Sequence, residues 1–371
     1  MAVLRWRPGG SKYSPLNQIN RRNVHQLRPV WIFDAGDWSD GTVLASKSAF
    51  ESTPLMVDGV VYVTTPFHRL FALDAETGQI RWQFDPQFDR SSRVNLYVSR
   101  GLAYRTDGQQ KRLLLGDQQG RLFSINAVTG RPDPAFGRNG VIQLREGVAD
   151  RYPQTPYGLT SPVCVCGDIV IAGAWVADGE PQGPAGDIRG FDIRTGRLRW
   201  TFHTVPRPGE FGHDTWAGDS WRDRTGVNGW SVFAADPARQ LVFVPLTSPA
   251  TDFYGGDRHG ANLFGDSLVA LDLPNRQTPL ALPDRPSQSR GLRPACAARS
   301  VPMARAAPPR GRSRADHQNR FRVPLRPVHR TAAVSDRRAP HSEKPHSGRT
   351  DLAHATRTAK APALRPPIHA P

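Results

Sequence analysis

The sequence predicts an all-β fold, a partial β-propeller of about four blades, and three observations predict it. A turn pattern of Asp or Asn, two residues and Thr-Gly recurs at Asp74, Asn126 and Asp192. Each copy lies between apolar runs with the composition of β-strands. Trp82 and Trp200 stand four residues after the glycine of the first and third copies. A β-sandwich could contain such turns, but it would not be expected to repeat the Trp, so the propeller is favoured.

The first three-quarters of the chain contains four such units, each of which reads as strands joined by tight turns. In order, the units are STPLMVDGVVYVTTPFHRLFALDAETGQIRWQF (52–84), KRLLLGDQQGRLFSINAVTG (111–130), SPVCVCGDIVIAGAW with DIRGFDIRTGRLRW (161–175 and 187–200), and GWSVFAADPARQLVFVPL with SLVALDL (229–246 and 267–273). The spacing between successive turns grows along the chain, which indicates insertions in the loops between units.

The turn chemistry is specific, and the fourth copy departs from it. The acidic or amide side chain accepts hydrogen bonds from its own turn, and glycine supplies a left-handed backbone position. After Asp272, however, Asn275 and Arg276 stand where Thr-Gly belongs, and no Trp follows. The fourth unit therefore begins like the others and then changes character.

Composition changes at the same point. From Arg276 onward the chain contains 18 Arg and 2 Lys against 4 Asp and 1 Glu, with neither Trp nor Tyr. The net charge of +16 therefore belongs almost wholly to this segment. We expect a partial propeller over residues 1–275 and a disordered basic tail, rich in Arg, Pro and Ala, over 276–371.

The composition and the lengths of the apolar runs also argue against several classes of function. The basic tail is an alternative nucleic-acid-binding segment, but its arginines lack interleaved aromatic residues, so we expect no nucleic-acid partner. No apolar stretch is long enough to span a membrane, and the first ten residues lack the apolar core of a signal peptide. Cys164 and Cys166 alternate on one predicted strand, where buried thiols are favoured over a metal or redox role.

The Asp-x-x-Thr-Gly-x-x-x-Trp pattern resembles the docking motif of the quinoprotein dehydrogenases, eight-bladed propellers that use pyrroloquinoline quinone. The resemblance covers roughly Tyr13 to Leu273. YSPLNQINRRNVHQLRPVW looks like the family's opening segment, and FESTPLMVDGVVYVTTPFHRLFALDAETG looks like its first complete blade. The membrane-type glucose dehydrogenases are the most similar members. That likeness implies a periplasmic location, a divalent metal (Ca²⁺ or Mg²⁺) and an external electron acceptor.

The resemblance also implies cofactor-binding residues. Glu51 in FESTPL matches an acid that contacts the cofactor, and Arg100 in SRGLAY matches an arginine that reaches the quinone oxygens. Thr160 and Ser161 in GLTSPV stand where hydroxyl donors are found, and Trp230 in NGWSVFAAD matches a Trp that lies flat under the ring. Without the family pattern, each would be read as an ordinary turn or core residue.

Two metal ligands and a substrate class follow from the same likeness. Asp178 in GAWVADG falls near a metal carboxylate of the family, and Ser248 in PLTSPATDFYGG replaces the Asn ligand of many members. The adjacent Cys pair of alcohol-oxidising members is absent, and Tyr-Val-Ser stands there instead. We therefore expect the intact protein to oxidise a sugar or polyol rather than a simple alcohol.

The change after Asn275 is interpreted as a shift of reading frame in a GC-rich gene. Dropping one base from permitted codons restores Gly, then Trp four residues later, then a His-His-Asn-Leu-Val-Asp-Tyr-Asp stretch. In the family, that stretch carries the presumed catalytic base. The sequence therefore predicts a fragment of a sugar or polyol dehydrogenase that lacks its base and is inactive. The alternative is a non-catalytic propeller scaffold of the outer-membrane assembly type, which shares the repeats.

Overall fold

Four four-stranded antiparallel sheets follow one another along the chain in the computed structural model of the protein. It describes residues 17–92, 94 and 96–273, together with the backbone of 280–283. We call the sheets blades 1 to 4 in chain order. Two short 3₁₀-helices occur, at Val24–Gln26 and His213–Thr215, and the described residues contain no α-helix. The predicted all-β class and the four repeated units are confirmed.

The strands of each blade are neighbours in sequence. Blade 1 consists of β2 (Leu55–Val57), β3 (Val60–Thr64), β4 (Leu70–Asp74) and β5 (Ile80–Phe84); blade 2 of β7 (Ala103–Thr106), β8 (Lys111–Gly116), β9 (Arg121–Asn126) and β10 (Val141–Gln143); blade 3 of β12 (Cys164–Cys166), β13 (Ile169–Ala172), β15 (Ile188–Asp192) and β16 (Leu198–Phe202); blade 4 of β17 (Ala234–Asp236), β18 (Leu241–Pro245), β19 (Ser267–Asp272) and β20 (Leu280–Pro283).

Two further strand pairs lie outside the blades. The first pairs β1 (Ser48–Ala49) with β6 (Tyr97–Val98) in parallel, so segments on either side of blade 1 run side by side. The second pairs β11 (Tyr157–Gly158) with β14 (Trp175–Val176) in antiparallel fashion. These short pairs place the loops that build the candidate site.

The repeated turns have the predicted chemistry. In blade 1, Asp74 Oδ1 accepts hydrogen bonds from the backbone N–H of Glu76 and Thr77 and from the Thr77 hydroxyl, at 2.9–3.0 Å. Gly78 then adopts a φ of +72°, in the left-handed region where glycine is favoured. Arg81 and the Thr77 bonds hold the pKa of Asp74 below its ordinary range. Asp192 accepts the same three bonds in blade 3, and Asn126 accepts the two backbone bonds in blade 2.

The first two of these turns each receive a Trp from the preceding segment, whereas Gly196 of the third lies against Ile142 and Phe136. Trp82 of blade 1 donates its indole N–H to Ala127 O at 3.2 Å and covers Gly130, where a Cβ would lie 2.6 Å from the ring. Trp31, which precedes blade 1, likewise donates to Ala75 O at 3.1 Å and covers Gly78. The predicted packing of Trp82 between units is confirmed.

Apolar clusters join consecutive blades. Leu113 and Leu115 of blade 2 pack with Leu70 of blade 1, and Leu114 of blade 2 packs with Val170 and Phe191 of blade 3. A third cluster joins blades 3 and 4, and it contains Cys164 and Cys166. Both thiols pack against apolar side chains, and that of Cys166 is buried, as the sequence predicts.

Blade 4 keeps the register of the other blades although its turn sequence is changed. Ala270 of β19 pairs with Leu280, just as Ala72 pairs with Trp82 in blade 1 and Gly190 with Trp200 in blade 3. Leu280 therefore holds the position of the docking Trp.

The fourth turn also bears on Trp200. Its buried indole N–H has no hydrogen-bond partner among the described residues. By the repeat, the acceptor would be the carbonyl of Leu273, directly after Asp272, and the position of the glycine falls within residues 274–279, outside the described part of the chain.

Strand β20 lies beyond residue 275, where the sequence predicts the ordered part to end. Its backbone pairs with the edge of β19, which would otherwise leave a row of unpaired donors and acceptors. Blade 4 thus includes a backbone strand beyond residue 275, and the predicted division of the chain at that residue stays a prediction. Residues 284–371 lie outside the described residues, and their predicted disorder stays a prediction.

A Gly130→Ala substitution tests the docking of Trp82. It introduces a Cβ at φ +71° that meets the indole, so we expect the free energy of unfolding to fall by about 2–3 kcal/mol. Gly59→Ala is the matched control, because its φ of +73° is nearly the same and nothing lies within 4 Å. It should cost only about 1 kcal/mol. Urea unfolding measures both variants, and equal losses would show that the Trp82 contact adds no stability.

Candidate functional site

The parallel pair of β1 and β6 brings an acid and an arginine together. Glu51 lies two residues after β1, and Arg100 lies two residues after β6. Because the carboxyl ends of parallel strands lie side by side, the two side chains meet, with Arg100 Nε 2.8 Å from Glu51 Oε2. Their side chains stay 27% and 42% exposed, so the pair is open to a ligand.

Three hydrogen-bonded hydroxyl groups, those of Ser52, Thr64 and Ser99, connect the segments that carry this ion pair. Thr64, at the end of β3, is fully buried. Its hydroxyl lies 3.0 Å from that of Ser52 and 2.9 Å from that of Ser99. Ser52 follows Glu51 and Ser99 precedes Arg100, so one buried side chain of blade 1 fixes the backbone on both sides of the ion pair.

Arg100 also reaches blade 3 and the segment before blade 4. Its backbone N–H donates to Thr160 O at 3.0 Å, and its guanidinium carbon lies 5.0 Å from the centre of the Trp230 ring. The Thr160 hydroxyl donates to the carbonyl of Trp230 at 3.3 Å. The structure therefore brings Glu51, Arg100, Thr160 and Trp230 into one cluster.

A small cleft opens beside this cluster. Its walls include Thr160, Ser161, Trp175, Trp230 and Phe233. The hydroxyl of Ser161 is buried and has no hydrogen-bond partner among the described residues, which marks an unused donor at the wall. Trp230 is 39% exposed, so part of its ring is free to stack.

The donor set suits the cofactor that the resemblance implies. A flat, polyanionic quinone needs an aromatic surface, a cation and hydroxyl donors. Trp230 supplies the aromatic surface, Arg100 the cation and Ser161 a hydroxyl donor. The role of these residues, and of Glu51 and Thr160, in binding the cofactor stays a prediction.

A second cluster contains the two predicted metal ligands and a third residue. The Ser248 hydroxyl lies 3.0 Å from Asp252 Oδ1, and Asp178 is within hydrogen-bonding reach of the Asp252 carboxyl. Burial raises the pKa of Asp252 above its ordinary value of 3.8, and the charges of Asp178 and Asp266 raise it further. The hydrogen bond from Ser248 acts in the opposite direction.

These oxygen donors suit a hard cation such as Ca²⁺ or Mg²⁺ better than a soft metal. Within the part of the chain that the structure describes, no three His, Cys, Asp or Glu side chains converge as a metal site. Asp178, Asp252 and Ser248 can therefore supply part of a coordination shell. The remaining ligands of a Ca²⁺ ion would have to be other oxygens, such as those of a bound carboxylate or water.

Sequence reasoning missed Asp252 and Asn228. Asp252 is four residues after Ser248 in the same loop, and a second oxygen ligand close in sequence to a predicted one is the signal that could have identified it. Asn228 is buried two residues before Trp230, and nothing in the sequence marks it out. Its hydrogen-bond partners lie on segments distant in sequence, which only the folded structure places next to it.

Comparisons with known proteins agree with this architecture. The family described as glucose/ethanol/alcohol dehydrogenase, beta-propeller domain, matches residues 4–275. A quinate/shikimate dehydrogenase (quinone) from Acinetobacter baylyi is 31% identical over 288 residues, which cover 71% of this chain and 35% of that protein. A quinoprotein glucose dehydrogenase from Escherichia coli is 31% identical over 276 residues, covering 71% and 34%. The chain thus spans about a third of the length of these curated relatives.

Solved structures give the same result. A quinohemoprotein alcohol dehydrogenase from Comamonas testosteroni superposes with a TM-score of 0.60 at 27% identity, covering 74% of this chain and 39% of that one. A europium-containing methanol dehydrogenase also gives 0.60, at 24% identity, covering 75% and 47%, which supports the fold alone. Among the described residues, no helix has the length and apolar character needed to cross a bilayer.

The raised pKa of Asp252 predicts that cation binding at this cluster depends on pH. The protonated carboxyl persists above its ordinary range, and a cation must displace that proton. We therefore expect Ca²⁺ affinity, measured by calorimetry between about pH 4 and pH 7, to rise with pH through the raised pKa. Asp252→Asn should weaken binding and remove the rise. Asp236→Asn is the control, because Asp236 is a half-buried carboxylate that pairs with Arg239 elsewhere in blade 4. A pH profile that both variants leave unchanged would exclude Asp252 as a ligand.

Proposed function

Because the chain belongs to the β-propeller family of the glucose, ethanol and alcohol dehydrogenases that use pyrroloquinoline quinone, we propose that its two clusters form part of a cofactor and metal site. The family consists of oxidoreductases that act on CH–OH groups. For the intact protein we propose a sugar or polyol as the substrate, a periplasmic location and an external quinone-type electron acceptor.

The contact of Arg100 with both Glu51 and Trp230 carries the proposal. A guanidinium beside a partly exposed indole offers charge and stacking to one flat anionic ligand. Glu51 holds the guanidinium through Nε, and Nη1 donates to Thr160 O at 3.5 Å, which leaves Nη2 available to ligand oxygens. A scaffold propeller has no need of such an exposed charged pair beside a cleft, so the enzyme is favoured.

The metal side would be held by Asp178, Asp252 and Ser248. The carboxylates of Asp178 and Asp252 and the hydroxyl of Ser248 would bind Ca²⁺ or Mg²⁺. The cation would neutralise the negative charge of the two carboxylates. Bound pyrroloquinoline quinone supplies a two-electron acceptor for the substrate carbon. The residues of this chain would bind and orient that group, and the presumed catalytic base belongs to the segment that we propose is lost after Asn275.

The substrate proposal rests on the Tyr-Val-Ser sequence at residues 97–99 and on the relatives. Those residues replace the adjacent Cys pair of alcohol-oxidising members. The Escherichia coli relative is a quinoprotein glucose dehydrogenase, and a further relative is the large subunit of a glycerol dehydrogenase from Gluconobacter oxydans, 28% identical over 271 residues. Both names agree with a polyhydroxylated substrate.

The register of blade 4 supports the proposed change of reading frame. Shifting the frame after Asn275 places Gly at position 276 and Trp at position 280. Position 280 pairs with Ala270, where the repeat requires the docking Trp. The shifted frame also restores the segment that carries the presumed base, so we propose that the chain as given has no dehydrogenase activity.

Replacing Arg100 tests the cofactor site. Arg100→Ala removes a cation and the contact with Trp230, so we expect the affinity for pyrroloquinoline quinone to fall about tenfold or more. Quenching of tryptophan fluorescence on titration with the cofactor measures it, with Trp230→Phe identifying the reporter. The matched control is Arg81→Ala, because Arg81 pairs with Asp74 in a distant turn. Equal affinities for the Arg100 and Arg81 variants would contradict the site.

Dye-linked oxidation of aldoses and polyols tests the activity. The purified chain, supplied with pyrroloquinoline quinone and Ca²⁺, should be inactive, since loss of a general base typically costs about 10²–10⁴-fold in rate. A gene with one base deleted after codon 275 and its natural downstream frame restored should yield activity. Activity of the chain as given would overturn the proposed loss, and an inactive restored protein would contradict the frame proposal.

A further inference from the structure

Asn228 connects the two clusters of the candidate site. Its side chain is buried, and it lies two residues before Trp230 in the chain. The amide nitrogen Nδ2 donates to the carbonyl of Ala174 at 2.8 Å. The amide oxygen Oδ1 accepts from the Thr247 hydroxyl at 2.6 Å. One side chain thus holds two segments that are far apart in sequence.

Those two segments carry the metal-side residues. Ala174 lines the cleft and lies four residues before Asp178, while Thr247 directly precedes Ser248. The backbone on both sides of Asn228 reinforces the link, because Val227 N donates to Ser248 O at 3.0 Å and Thr247 N donates to Asn228 O at 3.2 Å. Movement of Asn228 would therefore shift Trp230 and Ser248 together.

The surrounding packing leaves little room for another arrangement. A Cβ at Gly186 would lie 2.7 Å from Asn228 Cβ, and a Cβ at Gly173 would overlap the carbonyl oxygen of Gly229. Both positions are glycine, which lets the segment 226–229 press against blade 3. The amide is therefore seated by close backbone contacts as well as by its hydrogen bonds.

We propose that Asn228 is a positioning residue that sets the placement of Trp230 relative to Asp178 and Ser248. The inference rests on the proposed function and extends it. Because Asn228 links them, the aromatic surface of Trp230 and the cation ligands Asp178 and Ser248 would move together. Ligand binding at either cluster then raises the ligand affinity of the other cluster, and this coupling is reciprocal.

Variants on both sides of the amide test the proposal in the full 371-residue chain. Asn228→Ala removes both hydrogen bonds of the amide side chain. Thr247→Val removes the bond to Oδ1 and also the bond that the Thr247 hydroxyl accepts from Asn228 N at 3.1 Å, whereas Thr247→Ser retains both. Thr204→Val is the control, because this threonine is also buried and its hydroxyl has no partner among the described residues. Three quantities are measured for each: Ca²⁺ affinity, pyrroloquinoline quinone affinity, and quenching of the Trp230 emission by acrylamide without ligand.

We expect Asn228→Ala to weaken both affinities about tenfold and Thr247→Val about threefold, with changed Trp230 quenching in each. Thr247→Ser should remain within about twofold of the parent, and Thr204→Val should behave as the parent. Because Thr247→Val leaves the Asn228 side chain and its bond to Ala174 in place, it keeps the test open should Asn228→Ala fail to fold. Unchanged Trp230 quenching and Ca²⁺ affinity in Thr247→Val would overturn the inference.

The two proposals fail differently. If the parent chain does not bind pyrroloquinoline quinone, the proposed cofactor site is contradicted. The Trp230 quenching and the Ca²⁺ affinity then still decide whether Asn228 positions the two clusters. If the parent binds the cofactor and every Asn228 and Thr247 variant binds it equally, the positioning role alone is wrong.

Discussion

The docking of an indole onto a glycine turn is the interaction on which the structure depends. The side chain of the Asp or Asn accepts hydrogen bonds from the backbone N–H groups of its own turn. The carbonyl of the next residue, Ala75 or Ala127, then accepts the indole N–H of the Trp in the preceding segment. Gly78 and Gly130 leave the space that the ring fills. The same few atoms therefore fix both the end of a hairpin and the distance to its neighbour. This docking sets the spacing at the first two turns; at the third, Gly196 lies against Ile142 and Phe136 instead.

The candidate site depends on that spacing because no single blade contains it. Glu51 and Arg100 come from loops on either side of blade 1, Thr160 from the loop before blade 3, and Trp230 from the loop before blade 4. The contacts of 2.8 Å and 5.0 Å that Arg100 makes are thus contacts between repeats. A small change in how two blades pack would separate the ion pair from the indole without unfolding any sheet.

The sequence predicts the parts of this structure that have a local cause. The turn at Asp74 and the strands on either side of it follow from hydrogen bonding and periodicity within fifteen residues, so they could be inferred directly. Glu51, Arg100 and Trp230 were found through a family pattern, and their contact could not be derived from spacing. Asp252 and Asn228 escaped notice because their partners, Asp178, Ala174 and Thr247, lie on other loops. The strand β20 was missed because an edge in need of a partner exists only in the folded sheet.

The parallel pair β1–β6 has a consequence for how the molecule folds. Its register joins Ser48 to Tyr97 and Ala49 to Val98, so the whole of blade 1 lies inside the closed loop. Closing a loop of that length has an entropic cost that short hairpins avoid, and contacts between residues distant in sequence form slowly. The hairpins of blade 1 need no such closure. We therefore expect the acid–arginine pair to assemble after the sheet that it spans, so that a nascent chain has its first blade before it has its binding site.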